Sequence, residues 1–218
     1  MAYSKMKLLA KIYEKVSNAW YRMRLKNDNF TILTNTCIAG VMYHKLGKQF
    51  LSPTINMWME DEDFFKFVHN IEHYLTQPLV FIPRQFGSPA AKIDDVILYF
   101  NHYKTEEEAE AKWNERKRRV NMDNLFIICS DRPSPITGKV ITPEDILSLR
   151  DIPCRGKVVF STQSYDDVDY IVPLPKDPEG DYVNVYMLDK SKHLKRWRWE
   201  SAWDWVQWLN DGVVRCNV

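Results

Sequence analysis

The sequence predicts an α/β fold: three layers, with a largely parallel or mixed sheet carrying helices on both faces (Rossmann-like in its layering), built as one body or as two abutting lobes. Three observations carry this expectation. Short apolar, β-branched runs alternate with stretches of helical periodicity. Most connections between the runs look too long for hairpins. The run Leu125 to Cys129 is apolar at every position, as in a strand buried on both faces.

The elements follow in order. A helix opens the chain and ends at Asp28-Asn29, before a strand at Phe30 to Thr34. Asn35-Thr36-Cys37 leads into a helix with Val41, Met42 and Leu46 on one side, ended by Gly47. Ser52-Pro53 breaks the chain before a short strand, Thr54 to Trp58. Asp61 to Leu75 has Phe64, Val68, Ile71 and Leu75 on one helical face. A strand at Leu79 to Ile82 precedes a loop over 83–91, which holds two prolines and one glycine.

Val96 to Phe100 is a strand. Thr105 and Glu108 then have capping-box spacing, with glutamates at the helix start and Arg116 to Arg119 at its end, as the helix dipole favours. After the Leu125 strand, Thr142-Pro143 starts a helix that runs to about Leu149. Strands at 157–161 and 170–172 and a helix from Arg196 to Leu209 close the chain. The 218 residues are taken as one α/β domain, 1–218, with any sub-boundary near 120–123.

Thirty Lys and Arg against 29 Asp and Glu leave a formal charge of +1, which argues against a dedicated nucleic-acid binder. The cysteines Cys37, Cys129, Cys154 and Cys216 form no CxxC pair, so neither a disulfide scaffold nor a zinc ribbon is expected. With no apolar run near the roughly 20 residues a bilayer span needs, and with lysines interrupting the N-terminus, a cytoplasmic protein is expected. The first helix adds a membrane-peripheral variant through residues 5–26. Leu9, Ile12, Tyr13, Val16, Trp20 and Met23 form a stripe, with Lys7, Lys11, Lys15 and Arg22 opposite. The favoured expectation is that this stripe covers the core and the lysines face water.

In open α/β sheets ligands bind beyond the carboxyl ends of the strands. Three predicted strands end in polar residues: Asn35-Thr36-Cys37, Asn101-His102-Tyr103 and Ser130-Asp131-Arg132. If they are parallel neighbours, these ends share one rim. Cys37 at a helix start has the setting that activates a thiol, and His102 can serve as base or activating partner. The same helix start can instead hold a phosphate, with Gly40 allowing close approach. A packed βα turn beside a capping histidine explains the pattern equally. No GxGxxG or Walker run is present, and the cofactor stays unassigned.

His69-Asn-Ile-Glu72-His73 fits an HxxEH pattern, but no third ligand stands out and no metal is expected. Five of the eight tryptophans lie between Trp197 and Trp208. Trp199 and Trp203 fall on a core face and Trp197, Trp205 and Trp208 on another, so the helix is either a stacking platform or, as favoured, sandwiched between layers.

Several motifs together carry a family resemblance. Asn29-Phe-Thr-Ile-Leu-Thr-Asn-Thr-Cys-Ile-Ala-Gly, Tyr43-His-Lys-Leu-Gly and Ser52-Pro-Thr-Ile-Asn-Met-Trp come first. Asn101-His-Tyr-Lys-Thr-Glu-Glu-Glu-Ala and Lys112-Trp-Asn-Glu-Arg-Lys-Arg-Arg-Val-Asn follow, and Asn124-Leu-Phe leads on to Asp131. In this order they resemble an uncharacterised bacterial family, domain of unknown function 1919, often labelled as exopolysaccharide biosynthesis proteins. The resemblance covers nearly the whole chain and implies a context, the making or modifying of a cell-surface polysaccharide, rather than a mechanism. The family usually has two glycines after the cysteine; here Ala39 precedes Gly40.

Asn35, Cys37, Gly40, Tyr43, Ser52, His102, Tyr103, Arg116 and Asp131 occupy the matching positions and are the candidates. The leading expectation is a cytoplasmic transferase acting on an activated sugar or glycan intermediate. Asn35 and the helix start at Cys37 hold an anionic group, His102 is the base, and Asp131 orients a hydroxyl or that histidine. Gly40, Tyr43, Ser52, Tyr103 and Arg116 are expected to bind substrate. The rival is a non-catalytic carbohydrate- or partner-binding protein of a polysaccharide assembly complex, using the tryptophan helix and the basic first helix.

Overall fold

Alternation within the buried strands decides the architecture. In the computed structural model, residues 2–134, 136–180, 182–187 and 197–217 are described. β1 (Thr31–Thr34), β5 (Leu125–Ser130), β6 (Gly156–Ser161) and β7 (Ile171–Pro173) form a parallel sheet in the order β1-β5-β6-β7. Successive side chains point to opposite faces. Leu33, Leu125, Ile127 and Val159 therefore enter one core, while Ile32, Phe126, Ile128, Val158 and Phe160 enter a second.

The first core is covered by α3 (Asp61–His69), α4 (Ile71–Thr76), α5 (Glu106–Lys117) and α6 (Pro143–Ser148), through Phe64, Phe67, Ile71, Trp113 and Ile146. The second is covered by α1 (Ala2–Arg24), α2 (Ile38–Leu46), α7 (Arg198–Ala202) and α8 (Trp205–Asp211), through Tyr21, Met42, Trp199, Trp205 and Trp208. The α/β class and the helices on both faces agree with the sequence. A separate antiparallel sheet, β2 (Val80–Gln85), β3 (Ser88–Ile93) and β4 (Val96–Tyr99), packs into the first core through Ala91, Ile93, Val96 and Leu98. Strands from either side of 120–123 pair directly, and Asn121 bonds Asn29 O and Thr31 Oγ1 across that point.

The local signals at helix starts hold. Thr105 Oγ1 accepts from the Glu108 amide at 3.2 Å, and Thr142 and Asp145 form a reciprocal capping box. Other expectations fail for identifiable reasons. Residues 83–91 are not a loop but most of a hairpin. Phe86 and Gly87 both take positive φ (52° and 78°), as a two-residue hairpin turn requires, and Pro89 still accepts from the Phe100 amide.

The expected helix 61–75 breaks at Asn70, whose φ of −139° and ψ of 45° are not helical. The closing helix breaks at Trp203-Asp204, and its expected start, Arg196, lies outside the described residues. The expected strand 54–58 is reduced to one bridge, Trp58 with Tyr99. The α1 stripe does not cover the core: Leu9, Ile12, Val16, Trp20 and Met23 are exposed, and Tyr21 is the buried residue instead.

Candidate functional site

A cleft opens at the carboxyl ends of β1 and β5, lined by Asn35, Cys37 and Ser130. The turn after β1 is held by short polar side chains. Thr34 Oγ1 accepts from the Thr36 amide at 3.0 Å, and Thr36 Oγ1 accepts from Ile38 at 3.3 Å. This turn directs Asn35 into the cleft, where its Nδ2 donates to Asp61 Oδ1 at 2.9 Å and to Ser130 O at 3.4 Å. One side chain thus ties the ends of β1 and β5 to the start of α3. That helix start is also fixed from the other sheet, because Asp63 Oδ2 accepts the Ile97 amide at 2.9 Å.

The cleft wall continues through Trp58, stacked on Tyr99 with ring centres 4.3 Å apart and planes 15° from parallel. Asn101, beyond the end of β4, also reaches it, as do Cys37, Arg132, Ser134 and Tyr186. Arg132 is exposed, with its guanidinium 5.8 Å from the Tyr186 ring centre. The Tyr186 hydroxyl accepts the Cys37 amide at 2.6 Å, and burial holds that phenol protonated.

Asp61 is the chemically distinctive member. Burial pushes its carboxyl up to about 6; the Asn35 hydrogen bond opposes this, and the nearby Glu60 and Asp145 charges reinforce it. Its Oδ2 is buried without a partner, as are Asn35 Oδ1 and Glu60 Oε1. Native interiors rarely leave such atoms unpaired. Asp61 and Ser134 line a second, adjoining hollow too, with Glu60, Glu62 and Asp145 on its wall and Lys139 at its edge. A carboxyl that burial raises to about 6, on the shared wall of two adjoining hollows, can exchange a proton with an occupant.

The nine sequence-derived candidates separate clearly. Asn35 and Cys37 line the cleft. His102 is exposed and lies outside the lining, its place taken by Asn101. Asp131 is buried, and its two oxygens accept the Thr162 and Val183 amides at 2.9 Å each, so it fastens β6 to a later segment rather than orienting a histidine. Neither that imidazole nor the Asp131 carboxylate lines the cleft that Cys37 reaches.

Tyr43 is fully buried, donating to Phe30 O at 2.7 Å and accepting from Ile32; it braces α2 against β1. Ser52 is buried and bonds Thr54 within its own turn. Arg116 donates to Ile55 O and to the Tyr103 hydroxyl, so these two residues support each other away from the cleft. Gly40 has ordinary room beside it, Ile55 standing 3.6 Å from an added Cβ, so nothing there demands glycine. His69 and His73 sit on different helices, His69 against Phe65 O and His73 against Asp94 Oδ2. Among the described residues no group of three or more His, Cys, Asp or Glu side chains is placed to hold a metal.

Sequence reasoning missed Asp61, Trp58 and Arg132. Acidic residues open many helices for dipole reasons, so Asp61 within Glu60-Asp61-Glu62-Asp63 carries no mark of its own. Arg132 stands directly after Asp131 and had the same positional signal.

Fold and cleft define an α/β protein with a polar, incompletely satisfied cleft at the carboxyl edge of a parallel sheet. The chain belongs to the family described as Domain of unknown function (DUF1919), whose family model matches residues 8–210. It is also similar to an uncharacterized protein of Haemophilus influenzae, 30 % identical over 197 residues, which cover 88 % of this chain and 90 % of that one.

Proposed function

We propose that the cleft is the active site of a transferase that joins an activated sugar to a hydroxyl of a glycan intermediate, with Asp61 as the base. The observation that carries this reading is Asp61, which lines both adjoining hollows and whose Oδ2 is buried without a partner. The acidic hollow suits a neutral, hydroxyl-rich acceptor, because carboxylates accept from hydroxyls and repel phosphates. The Arg132 side suits the anionic leaving group of the donor. The Trp58–Tyr99 stack offers a flat apolar face to a sugar ring.

In the reaction, Asp61 Oδ2 takes the acceptor hydroxyl proton and the hydroxyl oxygen bonds to the anomeric carbon of the donor. The bond from that carbon to the leaving phosphate breaks, and the phosphate oxygen keeps the electron pair beside Arg132. Asn35 holds the Asp61 carboxyl in register through Oδ1 and leaves Oδ2 free.

The polysaccharide context comes from the sequence resemblance. A reducing cytoplasm fits the four unpaired cysteines. Of the two surfaces a binding-only protein was expected to use, the tryptophan helix is occupied in packing: Trp199, Trp203, Trp205 and Trp208 are all buried. The test is transfer from a panel of nucleotide sugars to glycan acceptors, followed by mass spectrometry across pH. The reading expects a rate that rises through about pH 6, the value that burial gives Asp61. Full activity in Asp61→Asn would overturn it.

A further inference from the structure

The first helix presents its apolar side outward. Leu9, Ile12, Val16, Trp20 and Met23 fall within a sector about 80° wide at roughly 100° per residue, and all five are exposed, Met23 to 76 % and Val16 to 62 %. Eleven large apolar side chains are exposed among the described residues, and five of them lie on this single stripe. Scattered exposed apolar residues need no explanation; a contiguous stripe marks a contact surface.

The helix cannot turn the stripe inward. Tyr21 packs edge-on against Trp205 at 4.6 Å, Arg24 pairs with Asp204 at 2.5 Å, and Arg22 Nε donates to Lys45 O at 3.0 Å. Tyr21 and Arg22 clamp the far side of α1, and Arg24 one flank of the stripe, onto α2 and α8.

Charge identifies what lies against the stripe. The segment Ala2–Arg24 carries Lys5, Lys7, Lys11, Lys15, Arg22 and Arg24 against one acid, Glu14, in a chain whose formal charge is only +1. A second copy would bring two strongly basic helices together, whereas an anionic surface is attracted. The stripe is flanked by Lys15 on one side and Arg24 on the other, with Trp20 at its edge under the Arg24 guanidinium, 4.3 Å from its ring. Apolar centre, basic flanks and an edge tryptophan are the features of a helix lying in a lipid headgroup layer. No described helix is long and apolar enough to cross a membrane, so the contact is lateral.

We propose that α1 seats this protein on an anionic lipid surface, its exposed apolar stripe entering the headgroup boundary and its flanking cations meeting lipid phosphates.

The test is flotation of the full chain with vesicles of phosphatidylcholine alone and of phosphatidylcholine mixed with phosphatidylglycerol. Light scattering of the lipid-free protein gives its oligomeric state. The proposal expects flotation with the mixed vesicles, weakened by salt, and little with phosphatidylcholine. Lys15→Gln, at the flank of the stripe, should lower partitioning about fivefold. Val16→Asp should lower it further, with melting temperature unchanged because the site is exposed. Equal or absent flotation with the two vesicle types would overturn it. So would Lys15→Gln lowering flotation while Val16→Asp does not, since the stripe would then play no part. A lipid-free dimer that Val16→Asp dissolves would reassign the stripe to a second copy.

Discussion

The two ends of the β1–β5 pair are both rich in asparagine, yet they treat it oppositely. At the amino end, Asn124 Nδ2 donates to Asn27 Oδ1 at 2.8 Å and to Asp28 O, and its own Oδ1 accepts from Asn27. Asn210 Oδ1 takes the amides of Lys26 and Asn27, and its Nδ2 donates to Arg24 O. The side-chain amides of Asn27, Asn124 and Asn210 are thus matched to the turns they hold. At the carboxyl end, Asn35 Oδ1, Asp61 Oδ2 and Glu60 Oε1 are buried without partners. Buried tryptophan Nε1 atoms lack partners elsewhere too. At the carboxyl end, however, the unsatisfied atoms belong to three neighbouring side chains that line the hollows, which marks that end as the one with capacity for a ligand.

The sharpest way to break this contrast is to remove the carboxyl. Asp61→Asn keeps the acceptor for Asn35 but loses the base, and should cut transfer by about 10²–10⁴-fold with the fold intact; circular dichroism and product formation measure the two sides. At the other end, Asn124→Ala leaves Asn27 and Asp28 O unmatched. It should lower stability by about 2–3 kcal/mol in urea titration without altering ligand binding. A loss of activity larger than its loss of folded protein would show that the amino end is not merely architectural.

The pH dependence sharpens the same contrast. Because the Asp61 carboxyl is raised from 3.8 to about 6 in the folded protein, the folded state binds more protons than the unfolded state between those values. Stability therefore falls as pH rises through that window. Asp61→Asn should remove about 2 kcal/mol of that slope, read from melting curves at several pH values. Trp58→Ala should weaken binding of a glycan probe roughly fivefold, measured by calorimetry. The smallest expected effect is that of His102→Ala: activity unchanged, since that imidazole lies outside the cleft. A large loss there would return His102 to the site.

Much of the fold was legible because its signals are local. The strand runs read at 125–129 and 157–161, the Thr105 and Thr142 caps and the glycine after α2 each act on neighbouring residues. The antiparallel sheet was hidden because Pro83, Gly87 and Pro89 look like loop residues, while the hairpin needs only two positive φ values and a proline that still offers its carbonyl. Of the site, Asn35 and Cys37 were legible from their place at a strand end. Asp61 was not, because its character comes from burial beside Asn35, a residue 26 positions away. The α1 stripe was legible as a pattern but not in its direction, which Tyr21 and Arg24 decide by contacts with a helix near the end of the chain.

The position of β1 also bears on how the chain assembles during synthesis. Its sheet partner, β5, begins at Leu125, roughly ninety residues after Thr31. At about 5–20 residues per second, translation keeps that edge waiting on the order of 5–20 seconds. The β2–β4 meander closes through near-neighbour pairings well before then. The pairings of the antiparallel sheet are thus available in the emerging chain before the parallel sheet, with the rim that carries Asn35, has its β5 strand.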